Sequence, residues 1–152
     1  QRGMILVSVD DTVLTSRLYG GEFIKKENII PKNFSTVVTV DKAALKSSIE
    51  RAAILVRSEK NSLIIFDISA GRIEISSNSE IGNVQEHVKA EVEGHDVRIA
   101  MNSKFITEAV GALEEDRITL SLNSQVQPFI CCNAENKDVL YLILHVRTAN
   151  NA

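Results

Sequence analysis

Apolar positions alternate in short runs along most of the chain, and only two stretches fall into helical spacing. MILVSV and TVLTSRL flank Asp10 and Asp11 and are rich in β-branched residues, so they read as a hairpin turned at those two acids. GGEFIKKENIIPKN follows as a connector with two apolar islands, and FSTVVTV begins a fresh strand. A domain boundary is therefore placed near Asn33.

From Phe34 onward the pattern repeats. STVVTV and Asp41 lead into KAALKSSIERAAIL, while VRIAM and Asn102 lead into SKFITEAVGAL. Asp41 and Asn102 suit an N-cap, since each side-chain oxygen can accept from a free N–H of the first turn. Counted from the caps, Leu45, Ile49 and Ala52 match Ile106, Val110 and Leu113. That i, i+4, i+7 spacing gives each helix one apolar stripe. Three strand-like runs follow the first helix (SLIIFDI, RIEISS, VQEHVKAEVE) and three follow the second (RITLSLN, PFICCN, VLYLILHVR). The chain thus reads as two β-α-β-β-β halves, an α+β domain with both helices lying on sheet. Their other faces carry Lys42, Lys46, Arg51 and Lys104 among Glu50 and Glu108. By pattern alone this is a solvated face with i, i+4 pairs such as Lys46–Glu50 and Lys104–Glu108.

Composition narrows the classes. The 152 residues are enough for one domain plus a fragment, and 44% hydrophobic with 24% charged residues is an ordinary globular balance. A net charge of −3 argues against a protein that grips nucleic acid over its whole surface, but permits one basic face. The apolar run DVLYLILHVR is too short to span a bilayer, so no membrane partner is expected. No secretory signal is visible at Gln1-Arg2-Gly3, which runs straight into a strand and suggests a start inside a longer protein. Adjacent Cys131 and Cys132 fit a reduced, cytoplasmic protein.

Catalytic signatures are missing: there is no GxSxG, P-loop, HExxH or CxxC. His87, His95 and His145 stand apart, without metal-ligand spacing. Cys131 could act as a nucleophile only if a histidine met it in space, which keeps a small Cys/His-dependent enzyme as one alternative. A generic α+β interaction domain is another. Asp10-Asp11 and Glu114-Glu115-Asp116 fall at predicted turns, and 5% aromatic residues without Trp disfavour a base-stacking surface. In the closing run, alternation puts Leu142, Leu144 and Val146 on one face and Tyr141, Ile143, His145 and Arg147 on the other. It is either a central strand buried on both sides or a strand whose end lines a surface groove.

PKNFSTVVTVDK, IERAAIL, EISSNSEIGNVQEHVKAEVEG, MNSKFITEAVGAL and LYLILHVR, in that order, make the chain similar to the third domain of bacterial sliding clamps, the beta subunit of DNA polymerase III. TSRLYGGEF and IIPKN resemble the end of the second domain, and the likeness runs from about Met4 to Arg147. The resemblance implies a DNA-clamp fold with helices on antiparallel sheets. It assigns residues 1–33 to the remnant of domain 2 and its connector, 34–148 to domain 3, and 149–152 to a tail. It also implies a non-catalytic processivity factor without cofactor or metal, a homodimeric ring when full length. Lys42, Lys46 and Lys104 would face double-stranded DNA. The polymerase III alpha subunit, the clamp loader and repair polymerases would insert short linear motifs with Leu and Phe anchors into a groove. This chain's share of that groove would be Ile24, Ile29, Asn102, Phe105, Val126, Pro128, Leu142, Leu144, His145, Val146 and Arg147. The ring interface would use Ile54 and Leu55 after the first helix, with Glu80 and Glu86 on an edge strand from Glu80 to Val88. Three features depart from the family pattern: Ile24 and Lys26 stand where Pro and an aromatic are usual, His145 stands where Pro is common, and a tail follows Arg147. With the first domain and most of the second absent, this chain alone is expected not to encircle DNA.

Overall fold

A computed structural model describes residues 3–59, 62–124 and 127–148. Strands β1 (Met4–Val9) and β2 (Thr12–Arg17) form the first hairpin, in register from Met4↔Arg17 to Val9↔Thr12. Asp10 makes its turn at φ 48°, a left-handed conformation that Asp tolerates better than most residues. This hairpin is a two-stranded sheet of its own, exposed throughout. One 3-10 turn, Lys26–Asn28, lies in the connector that follows.

The two halves then unfold in sequence as read. The first is β3 (Thr36–Asp41), α1 (Lys42–Val56), β4 (Leu63–Ser69), β5 (Arg72–Ser79) and β6 (Gly82–Gly94). The second is β7 (Val97–Asn102), α2 (Ser103–Ala112), β8 (Arg117–Leu122), β9 (Phe129–Asn133) and β10 (Leu140–Ile143). The eight strands form one antiparallel sheet in the order β10-β9-β8-β3-β6-β5-β4-β7. Each half lends its first strand to the other: β3 pairs with β8 and β7 with β4. The repeat is thus interlocked: the first half's strands stay contiguous as β3-β6-β5-β4, whereas β7 lies beside β4, apart from the other strands of its own half.

Both helices start as their caps dictate. The Asp41 carboxylate accepts from Ala44 N–H at 2.7 Å and the Asn102 side chain from Lys104 N–H at 2.9 Å. The two stripes are buried against the sheet: Leu45, Ile49, Ala52, Ile106 and Val110 are fully inaccessible and Leu113 nearly so. Phe66 and Phe129 fill the space beneath them. The helices run antiparallel, with the start of α1 beside the end of α2. There the Lys42 ammonium donates to the carbonyls of Leu113 and Glu114, at 3.1 and 3.3 Å. Those carbonyls terminate α2 and have no partner within the helix.

β6 changes neighbours along its length. Gly82–Lys89 pair with β5 and Ala90–Gly94 with β3, so its first part has a strand on one side only among the described residues. Gly94 closes the second ladder at φ 111°, and a Cβ there would sit 2.0 Å from the Ser35 carbonyl oxygen. Only glycine fits that approach.

Two expectations need correcting. The closing strand ends at Ile143, not Arg147, and lies at one end of the sheet rather than its centre. Ile143 pairs with Phe129, the first residue of β9, and the next partner back would be Pro128, which has no N–H to offer. The chain leaves β9 there, and Val146 N–H donates to Ala100 O on β7 at 2.8 Å, linking the two ends of the strand order. Ile54 and Leu55 lie inside α1 rather than after it, because Val56 extends the buried stripe by one more turn from Ala52.

Candidate functional site

Two concavities flank α2. The larger, about 640 Å³, is a cleft between the helices, with Arg51, Ile54 and Arg57 on one side and Lys104 and Glu108 on the other. The smaller, about 460 Å³, lies between α2 and the end of the chain. Phe105, Glu108, Ala109 and Ala112 make its helical wall, and Tyr141, Leu142, Ile143 and Leu144 the other. Phe105 is 58% exposed and Leu144 69%. Large apolar side chains held open to water around a cavity are the informative departure from core packing.

Three of the groove residues read from the sequence, Phe105, Leu142 and Leu144, meet in this smaller cavity. Asn102 caps the same helix one turn before Phe105. Val146 is half-buried and tied to β7, Arg147 is exposed, and Pro128 is half-buried before β9. Ile24 and Ile29 are exposed in the connector and do not line the cavity. Val126 lies outside the described residues. Sequence reasoning missed Glu108, Ala109, Ala112, Tyr141 and Ile143. The first three stand at i+3, i+4 and i+7 from Phe105, so a helical stripe drawn through that exposed aromatic would have found them.

His145 follows Leu144 and lays its ring against Phe129, centroids 5.4 Å apart and planes tilted by 34°. Neither ring nitrogen has a hydrogen-bond partner of good geometry. Burial pushes the imidazole below its ordinary value, while the Gln127 backbone pulls weakly the other way without meeting hydrogen-bond geometry.

The cations of the helix faces are all engaged. Lys46 sits 4.0 Å from Glu50, and Lys104 4.0 Å from Glu108, both i, i+4 pairs at the surface. Lys42 is held by the α2 carbonyls. Arg51 turns aside to grip Glu86 on β6 with two bonds, at 2.9 and 2.7 Å, which holds that carboxyl below the usual carboxylate range. Ile54 is 65% exposed, Leu55 packs partly on the core, and Glu80 is exposed in the β5–β6 turn.

The cysteines are unsuited to nucleophilic work. Both are buried, and desolvation, with Cys132 adding to it, pushes the Cys131 thiol up to about 12. An activated thiol is shifted the other way. Among the described residues no cluster of three or more His, Cys, Asp or Glu could hold a metal, and no helix is long and apolar enough to cross a membrane.

Interlocked β-α-β-β-β halves, joined into one antiparallel sheet over two antiparallel helices, define a DNA-clamp domain. The chain belongs to the family of the DNA polymerase III beta subunit, C-terminal domain, whose model matches residues 27–147. It is 32% identical over 146 residues to a beta sliding clamp of Staphylococcus aureus, covering 95% of this chain and 39% of that protein. The crystal structure of the DNA polymerase sliding clamp from Bacillus subtilis superposes with a TM-score of 0.81 at 30% identity, over 97% of this chain and 40% of that one. The DNA polymerase III beta subunit of Thermotoga maritima gives 0.83 at 25% identity, with the same coverage. The chain therefore spans about two fifths of the length of these relatives.

Proposed function

We propose that this chain is the third domain, with the end of the second, of a DNA sliding clamp. Residues 1–33 belong to the second domain and its connector, 34–148 form the third, and 149–152 are a tail. The protein acts without catalysis in the cytoplasm, tethering a replicative polymerase to double-stranded DNA as a head-to-tail dimeric ring. The observation that carries the reading is the open apolar groove beside α2 in a chain of this family. Leu and Phe anchors of short linear motifs from polymerases and the clamp loader seat between Phe105, Leu142 and Leu144. Ile24, Ile29, Asn102, Val126, Pro128, His145, Val146 and Arg147 complete or frame the site.

Lys42, Lys46 and Lys104 face the DNA backbone. Contacts limited to phosphates attract without fixing register, as sliding requires. Ile54, Leu55, Glu80 and Glu86 belong to the ring interface. The one-sided stretch of β6 supports this assignment, since unpaired backbone groups on a strand edge invite another strand.

The test is a titration with a fluorescein-labelled Gln-Leu-Ser-Leu-Phe peptide. Saturable binding is expected, and Leu144→Asp should raise Kd by at least about tenfold, the scale of a lost apolar anchor. Absence of saturable binding, both to this chain and to a longer protein carrying the rest of domain 2, would sink the groove reading.

A further inference from the structure

We propose that Glu108 makes the groove selective for peptides that carry a lysine or arginine beside their apolar anchor. This deepens the proposed peptide site and rests on it. Among the described residues that line the groove, Glu108 has the only charged side chain; its neighbours there are alanines, leucine, isoleucine and aromatics. It stands one turn from Phe105 on the same wall of α2, within reach of any residue next to an anchor seated on that ring. The Glu108 side chain is 63% exposed, so its pull on a peptide cation is that of a surface ion pair, small but of fixed sign.

Glu108 already has a neighbour of opposite sign, and the geometry decides between them. Lys104 approaches it at 4.0 Å, with the two side chains 73% and 63% exposed. A pair that long and that wet contributes little and exchanges freely. Glu108 lines both concavities, whereas Lys104 lines only the cleft between the helices. The ammonium therefore reaches the carboxylate from the far side of α2 and leaves the groove side open. A peptide cation entering the groove competes with Lys104 for one carboxylate rather than meeting a neutralised surface, and an acidic peptide residue at the same place is repelled.

The experiment compares three labelled peptides, identical except for Lys, Gln or Glu next to the Leu-Phe anchor, in polarisation titrations of the 152-residue chain. The lysine peptide should bind about two- to fivefold tighter than the glutamine peptide, and the glutamate peptide weaker by a similar factor, the range of exposed ion pairs. Added salt should compress the series. In Glu108→Gln the Lys-to-Gln ratio should fall to about one, and in Glu108→Lys the order should reverse. Lys104→Gln should widen the ratio by removing the competitor, which a general change in net charge also predicts only if Lys46→Gln does the same; Lys46 does not line the groove and faces Glu50, so it should leave the ratio fixed. If the glutamine peptide binds and the lysine peptide binds no better, or if the ratio survives in Glu108→Gln, the selectivity is disproved while the groove stands. If none of the three binds, the series is repeated with a longer protein carrying the rest of domain 2, and no binding there fells the selectivity and the groove reading together.

Discussion

In the first half of the domain, the last strand runs for 13 residues and passes from β5 to β3 through five register pairs. In the second half, β10 stops after four, and among the described residues the chain end reaches β7 through one backbone bond, from Val146 N–H to Ala100 O. The helices differ at the matching place. Three residues after its cap, α1 carries Ala44 and α2 carries Phe105. One repeat therefore closes its seam with backbone, and the other leaves the seam short and surrounds it with exposed apolar groups. The comparison teaches how a repeated unit opens a groove: the scaffold is kept, and the last strand is cut back where the cavity lies.

The largest effect should come from breaking the closed seam. Gly94→Ala forces a Cβ against the Ser35 carbonyl at a positive φ and should cost about 3 kcal/mol of unfolding free energy, read by urea denaturation. Next, Phe105→Ala should weaken peptide binding by about 2 kcal/mol, roughly 30-fold, in the polarisation titration. Ala44→Phe should create no second site, because β6 covers the corresponding seam; a second saturable phase would break the comparison. Smaller again, Val146→Pro removes the bond from the chain end to Ala100 on β7 and should cost about 1 kcal/mol. A loss equal to that of Gly94→Ala would mean that the two seams are equivalent.

The smallest effect is in the pH profile, and it separates the halves. Glu86 in the first half is held below 4.5, chiefly by its bonds from Arg51. Glu115 in the second is held below 4.5 by the backbone N–H groups of Glu135 and Asn136, at 3.0 and 2.9 Å. For both, the unfolded chain takes up protons first, so their stabilisation is full above 4.5 and is lost as pH falls from there through the folded values. His145 is also lowered, from 6.5, chiefly by burial. The unfolded imidazole protonates first, so stability begins to fall already as pH drops below 6.5. Thermal melts between pH 7 and about 5 should therefore decline gently in the wild type and flatten in His145→Leu.

Most of the scaffold was legible because local signals coincide there. Asp41 and Asn102 start helices at the same point as the stripes Leu45–Ile49–Ala52 and Ile106–Val110–Leu113 begin, and the turn at Asp10-Asp11 sits between two β-rich runs. The candidate site was legible only in part. Alternation along the closing run set Leu142 and Leu144 on one face, but not where β10 would end. That depends on its neighbour running out at Pro128, a fact of pairing rather than of the strand itself. The same holds for Arg51 and Lys42. Their charge is plain in the sequence, whereas Glu86 and the α2 carbonyls that receive them are brought near only by the interlocked topology.

The brace that Lys42 makes across the end of α2 bears on how the helical face would meet a polyanion. Its ammonium bonds only neutral carbonyls and keeps its full charge, whereas Lys46 and Lys104 each face a carboxylate. If that face meets DNA as proposed, its thermodynamic valence would be smaller than its lysine count, because Glu50 and Glu108 offset Lys46 and Lys104. In a log–log plot of DNA affinity against salt, neutralising Lys42 should flatten the slope and also loosen the helix end, whereas neutralising Lys46 or Lys104 should change the slope less.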